Sequence, residues 1–180
     1  MTDDRFGAPR GTILAIATPL GIVVLLGLPV VIALVPKGEG SMLIAGITAV
    51  VDIAVIAVAA LFLIRGYRLD ERGLHVERLL WADRIPLTTL RRAWPDSQAM
   101  SRSLRLFGNS GFFCIAGLFT NRKLGRYRAF ATDPQRAVVL QGAERTIVVT
   151  PDEPLRFLAA VEALAPQAEV SMKPPAPARS

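Results

Sequence analysis

The sequence predicts a membrane α-helical hairpin followed by a mainly-β domain that a C-terminal helix caps. Three observations carry this: apolar residues gathered into two N-terminal runs, short alternating segments parted by turn residues beyond them, and an apolar stripe of helical period near the end. The chain of 180 residues is 52% hydrophobic, yet carries 21 Lys+Arg against 15 Asp+Glu, a pairing that an average soluble domain does not show. Residues 12–35 hold 18 apolar residues in 24, and residues 41–64 hold 20 in 24. The remainder has the composition of an ordinary globular domain. A simple soluble protein is thereby excluded, and so is a disordered basic tail.

The first run, TILAIATPLGIVVLLGLPVVIALV, has no charge. As a helix it reaches about 36 Å, enough to cross a hydrocarbon core of about 30 Å. The second run has the same length and one charge, Asp52. Pro36-Lys-Gly-Glu-Gly40 leaves room only for a tight turn between antiparallel helices. A cleaved signal peptide fits poorly, because the flank MTDDRFGAPR has no net charge and the run exceeds a signal core of about 7–15 residues. Arg5 and Arg10 precede the first helix, Lys37 alone marks the turn, and Arg65, Arg68 and Arg72 follow the second helix. The positive-inside bias therefore places both termini in the cytoplasm of a multi-pass protein of the cell inner (plasma) membrane. Pro19 and Pro29 are expected to bend the first helix.

Asp52 lies at the middle of its run, where an aspartate costs about 2.5–3.5 kcal/mol on insertion scales. Thr48, one turn earlier, shares its face and is the expected polar contact. Asp52 therefore reads as a polar contact to a helix of this hairpin or of a second copy, or as the functional group of an accessory subunit in a transport or channel complex. Ala17 and Gly21, and Ala45 and Ala49, are spaced for close helix approach, as in a homo-oligomer formed through the helices.

From residue 65 the period changes. GYRLD and LHVERLL read as strands about the turn Glu71-Arg72-Gly73, with Leu74 and Val76 on one face and His75 and Glu77 on the other. Trp81–Leu87 reads as a third strand interrupted or ended at Pro86. Arg92–Ser101 is polar and reads as a loop. Leu104–Phe107 and Phe112–Phe119 flank Gly108-Asn-Ser-Gly111, Arg126–Thr132 follows the turn Asn121–Gly125, and Ala137–Leu140 with Thr146–Thr150 make a last hairpin. Phe157, Leu158, Val161, Leu164 and Ala165 then recur on one helical face, with Thr150 or Asp152 as the expected cap. The divisions are a cytoplasmic N-terminal tail at 1–11, the hairpin at 12–64 with helices at about 12–35 and 41–64, the β domain at 65–165, and a Pro/Ala-rich disordered tail at 166–180. On strand count alone an OB-fold or SH3-like barrel is possible; the terminal helix favours the pleckstrin-homology (PH) superfold.

The order of particular motifs goes further. Ile85-Pro86 is followed by the Gly-aromatic block from Phe107-Gly108 through Gly111-Phe112 to Gly117-Leu118-Phe119, then by Leu124-Gly125-Arg126-Tyr127, then by Pro151 to Pro154 leading into a helix at Phe157. This series resembles the bacterial PH-like domain family, whose members often stand beside transmembrane helices. The resemblance covers about residues 65–165. It implies a PH-like β-barrel with a capping helix and no known catalytic role.

Catalysis finds little support in the residues themselves. His75 reads as a strand histidine on a polar face and Cys114 as a core thiol. No metal spacing, P-loop or dinucleotide fingerprint is present, so no cofactor or metal is expected. A single cysteine excludes an intrachain disulfide. Charge is the remaining signal. Residues 65–180 hold 18 Lys+Arg against 11 Asp+Glu, whereas residues 1–64 hold 3 against 4. Arg122, Lys123, Arg126 and Arg128 cluster at one hairpin, and Arg102 and Arg105 precede the Gly-aromatic block. These six are the candidate residues for binding a partner protein or anionic lipid headgroups, since juxtamembrane basic groups contribute about 1 kcal/mol each against an anionic leaflet. The turn Asp70-Glu71-Arg72-Gly73 is mixed in sign, unlike a basic phosphoinositide-binding loop. Nucleic acid is not an expected partner, because no aromatic stacking array accompanies the arginines.

Overall fold

The computed structural model describes residues 4–34, 41–110 and 113–173. The two apolar runs form helices α1 (Thr12–Leu34) and α2 (Ser41–Leu61), which lie side by side with most of their large apolar side chains exposed. Both proline positions of the first run fall inside α1. The second helix stops three residues before the sequence boundary at 64, because Ile64 already belongs to a strand. The turn read at 36–40 lies outside the described residues.

Ahead of α1, strand β1 (Asp4–Gly7) pairs antiparallel with β2 (Ile64–Asp70), matching Phe6 to Tyr67 and Arg5 to Arg68. The segment expected as an N-terminal tail is thus partly ordered. Its anchor is Phe6, buried with its ring edge-on to Phe157 at 5.2 Å. Strands β3 (Gly73–Arg78) and β4 (Ala82–Ile85) complete an antiparallel sheet of order β1-β2-β3-β4. The chain therefore leaves this sheet to build the helical hairpin and returns to the neighbouring strand of the same sheet.

The second sheet contains β5 (Leu90–Pro95), β6 (Leu104–Ser110), β7 (Ile115–Asn121), β8 (Gly125–Ala131), β9 (Val138–Gly142) and β10 (Thr146–Val149). Its order is β11-β5-β9-β10-β8-β7-β6, where β11 (Glu169–Val170) runs parallel to β5. The polar stretch expected as a loop from Arg92 is corrected to strand as far as Pro95. Leu90, Ala93 and Trp94 are buried while Arg91 and Arg92 face water, and β9 supplies the ladder. The tail expected from residue 166 is likewise ordered at β11, where the Ser171 N–H donates to the Ala93 carbonyl at 2.8 Å. Residues 174–180 lie outside the described residues.

Helix α3 (Pro154–Leu164) covers the first core with Phe157, Leu158 and Val161, as the helical stripe predicts. Its N-cap is Glu153, without a side-chain cap bond, in place of the expected Thr150 or Asp152. The Thr150 hydroxyl is engaged elsewhere. The main core joins Tyr67, Leu69, Leu74 and Val76 of the first sheet to Phe130, Val138 and Leu140 of the second. A smaller cluster of Trp94, Phe119, Tyr127, Val139 and Val148 packs on the opposite face of the second sheet. Its central strands are thus buried on both faces, which explains the unbroken apolar runs VVL and IVV.

Tyr67 ties the two sheets together. Its hydroxyl donates to the Phe130 carbonyl at 2.6 Å and receives the Thr150 N–H at 3.2 Å. The Thr150 hydroxyl in turn accepts the Thr132 N–H at 2.8 Å. Burial pushes the phenol up from the usual 10 to about 12, against the lowering effect of the Thr150 contacts. The folded value exceeds the unfolded one, so the stabilisation is whole below pH 10 and is lost as pH rises through 12, by about 3 kcal/mol. Alkaline titration followed by tyrosinate absorbance should show the folded protein ionising late. Addition of denaturant should bring both tyrosines back to about 10.

Candidate functional site

The site is built where the helices meet the sheets. Strand alternation that buries Leu74 and Val76 also turns Arg78 inward at the end of β3. Its Nε donates to Asp83 Oδ2 at 2.7 Å and its Nη1 to the Phe62 carbonyl at 2.8 Å, one residue beyond the end of α2. The guanidinium lies 5.7 Å from the Phe62 ring, 5.8 Å from Trp81 and 5.4 Å from Phe130. A buried cation is thus matched by a carboxylate, a helix-end carbonyl and three aromatic faces. Cys114 Sγ donates to the same Phe62 carbonyl at 3.1 Å. Burial pushes its thiol up to about 11, more than the neighbouring Arg78 lowers it.

Two further bonds hold α1. The Gly11 N–H donates to the Thr132 carbonyl at 2.9 Å, and the Phe113 N–H donates to Thr18 Oγ1 at 3.2 Å. The end of β8 and the start of β7 therefore both sit at the helix bases. The turn between them, carrying Arg122 and Lys123, lies at the other end of a seven-residue hairpin, about 20 Å along the strands.

The six basic residues read from the sequence do not form one cluster. Lys123 Nζ pairs with buried Asp96 at 2.6 Å and so fastens the segment after β5 to the β7–β8 turn. Arg128 Nη2 stands 3.7 Å from Asp83 Oδ1 and its guanidinium lies 4.7 Å over Phe130. Arg126 shares the face of Arg128 by strand period, whereas Arg105 is in register with Phe119 on the other face. Arg102 adopts a positive φ of 51° in the turn before β6. Among the described residues, Arg102, Arg105, Arg122 and Arg126 make no ion pair or side-chain hydrogen bond. Asp52 is buried against the hairpin with Oδ2 unbonded, while the Thr48 hydroxyl donates to its own helix at the Ile44 carbonyl, 2.9 Å away. The structure does not bring these two side chains together. His75, read as a polar-face strand residue, is half-buried beside Asp70 at 3.1 Å.

The Gly-aromatic block also acquires a physical reason. Gly108 and Gly117 face each other across β6 and β7 with φ of 116° and 152°. A Cβ on either would run into the backbone of the other strand. A family model described as "Bacterial PH domain" matches residues 65–165. The chain belongs to this bacterial PH domain family. No curated protein matches the chain, and no solved structure does. The match begins after α2, so the β1 strand and the helical hairpin are additions in front of the PH domain.

Sequence reading missed Arg78, although its parity with Leu74 and Val76 was available as a signal. It also missed the Tyr67–Thr150 link, for which no local signal exists. Arg78→Ala should lower stability by about 2–4 kcal/mol, since Asp83 is left beside an unoccupied apolar site, with Arg128 compensating in part. Thermal unfolding of the purified chain checks this. Cys114 should resist alkylation at pH 8 in the folded chain and react once denatured, because a thiol titrating near 11 is only about 0.1% thiolate there.

Proposed function

We propose that the chain is a membrane-anchored, non-enzymatic interaction module. In this reading the two helices cross the cell inner membrane, both termini are cytoplasmic, and the PH domain recruits a protein partner with an acidic surface. The observation that carries it is the register of β1 with β2 across the helical hairpin. A strand before α1 can pair with a strand after α2 only if both ends of the hairpin emerge on one side. That supports an even number of crossings independently of the Lys/Arg counts. The side is cytoplasmic by the excess of arginine around it.

The partner's chemistry follows from which arginines are uncommitted. Arg122 and Arg126 are exposed and make no ion pair, at the end of the hairpin farthest from the helix bases. This placement favours an acidic protein surface over the chain's own bilayer, with anionic lipid headgroups as the other ligand of the same charge. Buried Asp52 Oδ2 favours one second reading, an accessory subunit of a membrane transport or channel complex. Asp52→Asn leaving partner recovery and ion flux unchanged would remove it.

Affinity recovery from native membranes should retain partners with the wild-type chain and lose them roughly thirtyfold with Arg122→Gln/Arg126→Gln, at about 1 kcal/mol for each charge. The same partners should be shed as ionic strength rises. Equal recovery by wild type and variant would remove the basic turn from the reading. Capture of phosphatidylglycerol vesicles by the reconstituted wild type, lost in the variant, would assign the turn to headgroups.

A further inference from the structure

The outer part of the β6–β8 face is apolar and uncovered. Along this face Ala116 and Phe130 enter the main core, but the large apolar residues of the rows beyond them are exposed. The next rows are Phe107, Leu118 and Arg128, then Leu104, Thr120 and Arg126. Phe107 is 81% exposed and Leu104 71%, and Leu106 at the β6 irregularity is also open to solvent. Adjacent large apolar groups uncovered on a sheet mark a contact surface. Arg128 stands at the inner margin of these rows, with its guanidinium over the Phe130 ring.

The geometry points to the bilayer of the chain's own membrane as the occupant: we infer that this face lies in the interfacial layer beside α1, with Phe107, Leu106 and Leu118 among the acyl-chain ends and Arg128 at the phosphates. The inference rests on the anchoring reading above. Its first support is continuity. The end of this same hairpin is bonded to α1 at Thr18, four residues inside the apolar span Leu14–Leu34, or about 6 Å into it. Phe107 is three residues from the end of β6, about 10 Å along the strand. It therefore falls in the interfacial layer whether the strand stands or leans. Its second support is the band beside it. Phe62, Leu79, Leu80 and Trp81 are all exposed at the foot of α2, with the Phe62 and Trp81 rings edge to face at 5.6 Å. An aromatic band at a helix foot is the usual partner of headgroups. Its third support is Arg128, since a long cationic side chain reaches from an apolar bed to the phosphate level.

The test uses the full chain reconstituted in phosphatidylcholine/phosphatidylglycerol vesicles containing brominated acyl chains, which quench an indole in contact with lipid. Phe107→Trp, made in a Trp81→Phe background whose remaining Trp94 is buried and common to all variants, should be quenched at least twofold more than Leu155→Trp, placed on the exposed side of α3. Val24→Trp on α1 reports the span itself. Strong quenching for Val24→Trp without quenching for Phe107→Trp would overturn the inference and leave the anchor standing. Quenching of Phe107→Trp by aqueous acrylamide would overturn it as well, by placing the face in water. Protection from both quenchers would overturn it in favour of a second copy of the chain. Absence of quenching in Val24→Trp would fell the anchoring reading and this inference with it.

Discussion

Arg78 brings a full positive charge into a nearly closed space between the foot of the helical hairpin and the seam of the two sheets. Such a charge is tolerated only when every side of it is answered. Asp83 supplies the counter-charge, the Phe62 carbonyl supplies the negative end of α2, and three aromatic rings supply their faces. These partners come from three separate stretches of chain, so the buried cation dictates where those stretches meet. The end of α2, the β3–β4 turn and the end of β8 converge on one guanidinium. Asp83 then extends the network to Arg128 and so to the exposed rows of β6–β8.

A second junction governs how the sheets sit on one another. Tyr67 reaches across the core to a carbonyl of β8 and an N–H following β10, and the Thr150 hydroxyl organises the chain just after β8. Burial of these polar groups is offset by their hydrogen bonds, which also pin the first sheet to the second in a single register. Gly11 is bonded to Thr132 a residue away from this junction. The helices and the domain are therefore joined at both feet, and a displacement of either helix is carried directly into the sheets.

The candidate site was partly legible in the residues. The concentration of arginine at the β7–β8 turn and on β8 is a local property, and the pairing of turn residues marked the hairpin that carries it. Local pattern could not distinguish Lys123, drawn to buried Asp96, from Arg122 next to it, since Asp96 lies on a segment remote in sequence. Nor could it show that Phe107 and Leu118 face outward. Their alternation is that of core residues, and only the folded chain leaves them exposed. The polar look of Arg92–Ser101 concealed β5 for a similar reason: a strand with one wet face shows few apolar residues, and its partner β9 is some 45 residues away.

What the sequence by itself determined were the features set by local composition and period. These are two apolar helices long enough to span a bilayer, short alternating strands, the inward stripe of α3 and the glycines that let β6 and β7 approach closely. Membership of the bacterial PH domain family rests on the family model that matches residues 65–165. Tertiary structure alone decided that Asp4–Gly7 is a strand, that Glu169–Val170 lines β5, that Arg78 is the common fastening point, and which basic groups remain free. The physical reason is the same in each case. Four or two residues of strand, or one buried charge, have no stability apart from partners distant in the chain, and those partners are brought within reach only when the whole core closes.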